Sequence, residues 1–244
     1  MMMCAAIPNR LRDFLLCGFA LFPLLVPAQD VQSPGAAELH AHIELSPRQM
    51  KGHPPAAVLW LTSPSAAAAS KTGPAGRFTL LQKNRMFTPH LLVVPVGSVV
   101  AFPNADPFFH NVFSLFNGKR FDLGLYEAGK SKDVVFSREG VSYIFCNIHP
   151  EMSAVVLALS TPYFATVNQD ENARMDNIPA GEYELHVWIE GVPQQDLNRL
   201  VRPVSLETGK SESIAIDARD LSREASSHLN KFGQPYAQPS KPDY

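Results

Sequence analysis

The segment Cys146-Asn147-Ile148-His149-Pro150-Glu151-Met152 places a thiol, an imidazole and a thioether within seven residues. So short a stretch turns its donor side chains toward a common point, and the ring of Pro150 stiffens it. A fourth donor must come from elsewhere, and His110 is the candidate, because it opens a strand pattern just after a turn rich in Asn, Asp and Pro. Two imidazoles and one thiolate in a plane, with a weak and distant methionine sulfur, form the trigonal site of electron-transfer copper. Zinc favours a tetrahedron of firm ligands without a thioether, so Met152 argues for copper. Singly, each residue has a plainer use: Cys146 as a buried strand cysteine, Met152 as core filling, the histidines as surface positions.

Cysteine usage narrows the choice. Cys4 and Cys17 fall in residues 1–28, which read as a cleaved export signal: Arg10 and Arg12, an apolar run over 14–26, and small residues around Ala28. The mature chain is expected to begin near Gln29 in the periplasm. The apolar run is shorter than the ~20 residues a membrane span prefers, so no stable insertion is expected after cleavage. Cys146 then remains as a lone exported thiol with no internal disulfide open to it: inert and buried, nucleophilic, crosslinked between molecules, or a metal ligand. With 21 Lys and Arg against 23 Asp and Glu, the net charge of -2 offers no basic field for phosphates, and nucleic acid is not an expected partner.

The elements that must position these donors are strands. With 21 prolines against 14 glycines, and 45 % hydrophobic residues, the composition is that of an ordinary globular chain rich in turns and strand ends. Strand patterns fall at 39–45 and 56–62, then at 78–81, 91–94, 98–102, 111–114, 132–136, 141–146 and 153–159, a Greek-key cadence. Within 141–146, alternation puts Ser142, Ile144 and Cys146 on one face and Val141, Tyr143 and Phe145 on the other. A second β pattern follows at 163–167, 181–190, 200–206 and 211–217, where Tyr183, Leu185, Val187 and Ile189 share a face. Residues 63–76 read as a linker, and 221–244 as a mostly disordered tail with a short helix at 222–229. The expected fold class is all-β.

Phe87-Thr88-Pro89, Val96-Gly97-Ser98-Val99-Val100, the block from Asn104 to Ser114 and the Cys-x-x-His-x-x-Met loop together resemble the cupredoxins, the plastocyanin and amicyanin family. The loop spacing is amicyanin-like, and the likeness covers about a third of the chain. The resemblance implies a Greek-key barrel or sandwich over 77–160 holding one type 1 copper ion. His110, Cys146 and His149 would bind equatorially and Met152 axially, with Asn111 tying the two ligand-bearing loops together. The Phe108-Phe109 pair and the long link over 117–132 are not family hallmarks. The whole arrangement resembles proteins grouped as plastocyanin-like or methylamine-utilisation-related. Segments 38–62 and 163–218, with an Asn-Ile-Pro-Ala-Gly-Glu-Tyr turn at 177–183, are similar to the carboxypeptidase-regulatory-like β-sandwich. That likeness implies a copper module inserted between the strands of a second small sandwich; the simpler alternative makes the first two strands an extension of the copper module.

These resemblances imply an exported one-electron carrier and not an enzyme. His149 would be the electron port, and Phe108, Phe109 and Pro150 an apolar rim for a transient redox partner protein. Copper transport with the same ligands is the alternative, hinted at by the His40-x-His42 pair, with His53 not far along; a non-redox interaction module built on the second sandwich is another. An oxidase would need a Cys-x-x-x-Cys for a dinuclear centre, and a thiolate shared with copper is not free for nucleophilic attack. His90 and His186 read as surface or satisfied residues, and Trp60 and Trp188 as core of the second sandwich.

Overall fold

The computed structural model describes residues 36–47, 49, 54–63, 74–115, 118–223 and 229–236. The export signal expected over 1–28, most of the linker at 63–76, His53, His228, most of the helix expected at 222–229 and the end of the tail lie outside the described residues. In chain order the strands are β1 (Ala36–Glu44), β2 (Ala57–Thr62), β3 (Arg77–Thr79), β4 (Leu81–Lys83), β5 (Met86–Thr88), β6 (Leu91–Pro95), β7 (Val99–Pro103), β8 (His110–Ser114) and β9 (Phe121–Tyr126). They continue as β10 (Ser131–Val135), β11 (Gly140–Phe145), β12 (Ser153–Leu159), β13 (Phe164–Thr166), β14 (Asn172–Pro179), β15 (Gly181–Ile189), β16 (Arg202–Leu206) and β17 (Ser211–Asp217). A short helix, α1 (Gln194–Leu197), precedes β16. The fold is all-β.

Side-chain alternation shows which faces are covered. In β1, Ala37, Leu39, Ala41 and Ile43 are buried while Glu38, His40, His42 and Glu44 are only partly so, the pattern of a sheet with one face on a core and the other toward water. β1 lies between β14, antiparallel, and β17, parallel. β2 pairs antiparallel with β13 and β15, and β16 extends that sheet. The strands at the start of the chain therefore complete sheets whose other members all follow residue 160.

The sheet that holds His110 and ends beside Cys146 runs β6-β12-β11-β8-β9, and it shares a core with a smaller one, β10-β7-β3. β12 is buried from Ala154 to Leu159 because both of its faces are covered. Val155, Leu157 and Leu159 enter one core with Leu39, Leu59, Leu185 and Trp188. Ala154, Val156 and Ala158 enter the other with Phe102, Val112, Ile144, Cys146 and Met152. The two sandwiches thus meet along β12 and β11, where the Tyr143 ring lies 6.5 Å from that of Trp188. Trp188 serves this seam as well as the second sandwich. An ion pair spans the same boundary: His90 Nε2 lies 2.8 Å from Glu190 Oε1, and His90 Nδ1 lies 3.2 Å from the Ser153 carbonyl.

Strands also form where the sequence offered only a link or a turn. The stretch over 117–132 contains β9, paired antiparallel with β8, and the region before the 177–183 turn is β14. Residues 229–236, read as part of a polar tail, fold into a turn. Asn230 Oδ1 accepts from the amides of Phe232 and Gln234 at 2.9 and 3.1 Å, and Gly233 supplies the positive φ of 75° that the turn requires. Proline-rich, polar composition hid a turn whose signal was only the Asn and Gly. No helix among the described residues is long and apolar enough to cross a membrane.

Candidate metal centre

β8 and β11 are antiparallel neighbours joined at Phe113 and Phe145, so the start of β8 lies beside the end of β11. That pairing brings His110 to Cys146 across thirty-six positions of sequence. Both residues are fully buried, and Cys146 lies on the Ile144 face of its strand, as alternation requires. The loop after β11 is closed by two backbone bonds, from the Cys146 amide to the Met152 carbonyl at 3.3 Å and from the Met152 amide to the His149 carbonyl at 3.1 Å. These bonds turn His149 back over the thiol and set Met152, 1 % exposed, into the same core as Cys146.

Three donor atoms face one another. Cys146 Sγ lies 3.8 Å from His110 Nδ1 and 3.6 Å from His149 Nδ1, and the two Nδ1 atoms are 3.1 Å apart. A point in the plane of this triangle about 2.0 Å from both nitrogens falls about 2.1 Å from the sulfur, close to the bond lengths a first-row metal makes to imidazole and thiolate. Among the described residues, this trio is the group of His, Cys, Asp and Glu side chains close enough to hold one ion.

The protonation pattern suits a cation. His110 Nε2 is 2.8 Å from the carboxylate of buried Asp106, which can only accept, so Nε2 carries the hydrogen and a neutral His110 turns the Nδ1 lone pair toward the thiol. Burial pushes the His149 pKa down, and the neighbouring His110 and Arg85 lower it further against the opposing pull of Glu151 and Asp106. The neutral, ligating form of that ring is favoured. Burial pushes Asp106 up, but the amides of Arg85 and Asn84 and the His110 ring donate to it and leave its pKa below the ordinary value.

Asp106 thus does what a carboxylate behind a ligating imidazole does, fixing tautomer and ring plane. It was not singled out from the sequence, although it stands four residues before His110. Its own support is the β4–β5 hairpin, where Asn84 and Arg85 adopt φ of 55° and 56°, the twist of a two-residue hairpin turn. The Arg85 guanidinium sits 5.3 Å from the centre of the Phe108 ring. Phe108 in turn packs on both imidazoles, with centroids 5.3 Å from His110 and 5.7 Å from His149, whereas Phe109 is 54 % exposed.

Asn111 departs from expectation. Its Nδ2 donates to Asp122 on β9 at 2.7 Å and not to the Cys146–Met152 loop, and its Oδ1 is buried without a partner. The reason is local: β9 runs beside β8 with a register shift between Asn111 and Phe113, which brings Asp122 to the amide. Among the described residues, the other histidines stand apart from the trio. His40 Nε2 lies 3.3 Å from Glu38, His42 Nδ1 lies 3.1 Å from Asn172, and His186 stacks on Trp60 while meeting Thr62 at 2.9 Å. A surface cavity of about 300 Å³ lined by Arg199, Arg202, Asp217 and Asp220 shares no residue with the site.

No family model matches the chain, and no curated protein matches it. Among solved structures, it is similar to a copper-containing nitrite reductase (NirK) from Thermus scotoductus SA-01, with 24 % identity over 34 % of this chain and a TM-score of 0.32. The chain spans 22 % of that protein's length. It is also similar to a purple cupredoxin from Nitrosopumilus maritimus, with 28 % identity over 34 % of this chain and 99 % of that one, at a TM-score of 0.31. A Cu(I) amicyanin variant matches with 21 % identity over 41 % of this chain and 98 % of its own, at a TM-score of 0.32.

Proposed function

We propose that this protein is an exported one-electron carrier that holds a single type 1 copper ion through His110, Cys146 and His149, with Met152 as the weak thioether ligand. The observation that carries the reading is the triangle of two Nδ1 atoms and one Sγ, sized for one small cation and with the His110 tautomer held by Asp106. The donor chemistry favours copper, since thiolate and thioether are soft and two imidazoles suit either oxidation state. A bound copper ion would supply one-electron exchange between Cu(II) and Cu(I). The protein's part is to keep the donors in place through that change. Buried Cys146 and His110 are fixed by two strands, water is kept from the thiol by the Phe102, Val112 and Ile144 core, and the half-buried His149 ring is the group nearest solvent. On the same reading, 77–160 is the copper module set within the second sandwich, the partner is a redox protein that docks transiently, and no substrate is turned over.

Adding Cu(II) to the purified protein is expected to produce an intense blue sulfur-to-copper charge-transfer band that Cys146→Ser abolishes. A colourless complex sinks the proposal. Rapid, reversible electron exchange without copper loss is the further expectation; copper released on reduction would instead identify a transporter.

A further inference from the structure

The turn at 229–236 lies against the metal centre, and its contacts are specific. The Lys231 amide donates to Asn147 Oδ1 at 2.9 Å, Lys231 Nζ donates to Asp122 Oδ2 at 2.8 Å, and the Tyr236 hydroxyl donates to the Cys146 carbonyl at 2.8 Å. Asp122 is the residue that holds Asn111, next to His110, while Cys146 and Asn147 open the ligand loop. One short segment therefore holds the Cys146–Met152 loop directly and the His110 strand through Asp122. Its own shape is held by the Asn230 side chain, by a bond from the Asn230 amide to the Gln234 carbonyl at 2.8 Å, and by one from the Gly233 amide to the Asn230 carbonyl at 2.9 Å.

We infer that residues 229–236 are a clasp for the metal centre, with Lys231 and Tyr236 as its positioning residues. The clasp makes through Asp122 and Lys231 the link between the two ligand-bearing segments that Asn111 does not make directly. The Tyr236 side chain acts on the backbone of Cys146 and the Lys231 side chain on Asp122, while the Lys231 amide holds Asn147, and together they set how readily the loop lifts from the strand ends. Which ion the loop closes on rests on the copper reading above; the mechanical role does not.

The test is the full-length Tyr236→Phe, Lys231→Ala double variant beside the wild type. In the metal-free proteins, labelling of the buried Cys146 thiol by a thiol-reactive reagent, read on the Cys146 peptide apart from Cys4 and Cys17, is expected to be about tenfold faster in the variant, the scale of two lost hydrogen bonds. Local opening of this kind depends little on low denaturant, whereas global unfolding depends on it steeply, so the increase should persist undiminished there. Amide hydrogen exchange should quicken over 146–152 and not in β1 or β2. With copper bound, the variant should show a shifted charge-transfer band and faster loss of metal to a chelator. Labelling unchanged, or accelerated only in step with global unfolding, overturns the clasp even if the wild type binds copper. Accelerated labelling in a protein whose wild type takes no copper supports the clasp and defeats the copper reading instead.

Discussion

Along β12, successive side chains enter two interiors built on different terms. The interior reached by Val155, Leu157 and Leu159 is almost entirely hydrocarbon; among the described residues, the buried polar side chain at its margin is Gln49, whose amide donates to the Ala218 and Leu221 carbonyls. The interior reached by Ala154 and Val156 is interrupted by polar groups: Gln82, Asn104, Asp106, His110, Asn111 and Ser142 are all buried between β4 and β11. A buried polar group lowers stability unless it is hydrogen-bonded, and several here are bonded only in part. The first interior stabilises; the second gives up some stability to hold a thiol and two imidazoles in one geometry. Because they share β12, the stiffness of one is available to the other.

The largest expected effect tests that sharing. Trp188→Ala, at 2 % exposure on the seam, should lower stability by about 3–5 kcal/mol in denaturant titration. Near-ultraviolet signal and the copper absorption band should disappear in a single transition; two separate transitions would show that the seam does not couple the sandwiches. Next comes Asp106→Asn. The carboxylate accepts from two backbone amides and the His110 ring, and an amide has one oxygen for all three. Metal affinity should fall about 10–100-fold, measured by competition against a chelator. Equal affinity would mean that His110 is oriented by packing alone.

The smallest effect concerns the ion pair across the seam. The Glu190 hydrogen bond, working against burial, raises the His90 pKa above its ordinary 6.5. Burial pushes Glu190 upward, but His90, the Ala56 amide and Arg223 together bring it below its ordinary 4.5. The raised His90 value means stability that is complete below 6.5 and lost as pH rises through the folded value. The lowered Glu190 value means stability complete above 4.5 and lost as pH falls through its folded value. The pair is therefore most effective between those limits. With 47 % of the His90 side chain exposed, screening leaves it worth only ~0.5 kcal/mol. Thermal melts of His90→Gln against wild type should differ most near pH 5.5, roughly midway between the two ordinary values, and converge on either side. A constant difference would assign the effect to packing.

Much of the site was legible because its signals are short-ranged. Cys146, His149 and Met152 share one loop, and period-two alternation predicted that Cys146 would sit on the Ile144 face of its strand. The all-β class followed from recurrent strand patterns and turn residues. β9 escaped because Phe121–Tyr126 contains Asp122 and Gly124, which read locally as a link, yet pairing with β8 makes it a strand. Asp106 escaped for a related reason: a carboxylate in a turn reads as turn chemistry until a buried imidazole is found against it.

By itself the sequence determined the donor types, the strand alternation that aims them and the turns between, since each depends on residues a few positions apart. Tertiary structure decided that β8 lies beside β11, that β1 and β2 close sheets formed after residue 160, and that a polar segment near the end of the chain settles on the ligand loop. These are choices among distant partners, settled by which faces bury best against each other and which backbone groups are left to satisfy. No local pattern contains that information, because the same strand could present the same face to another neighbour.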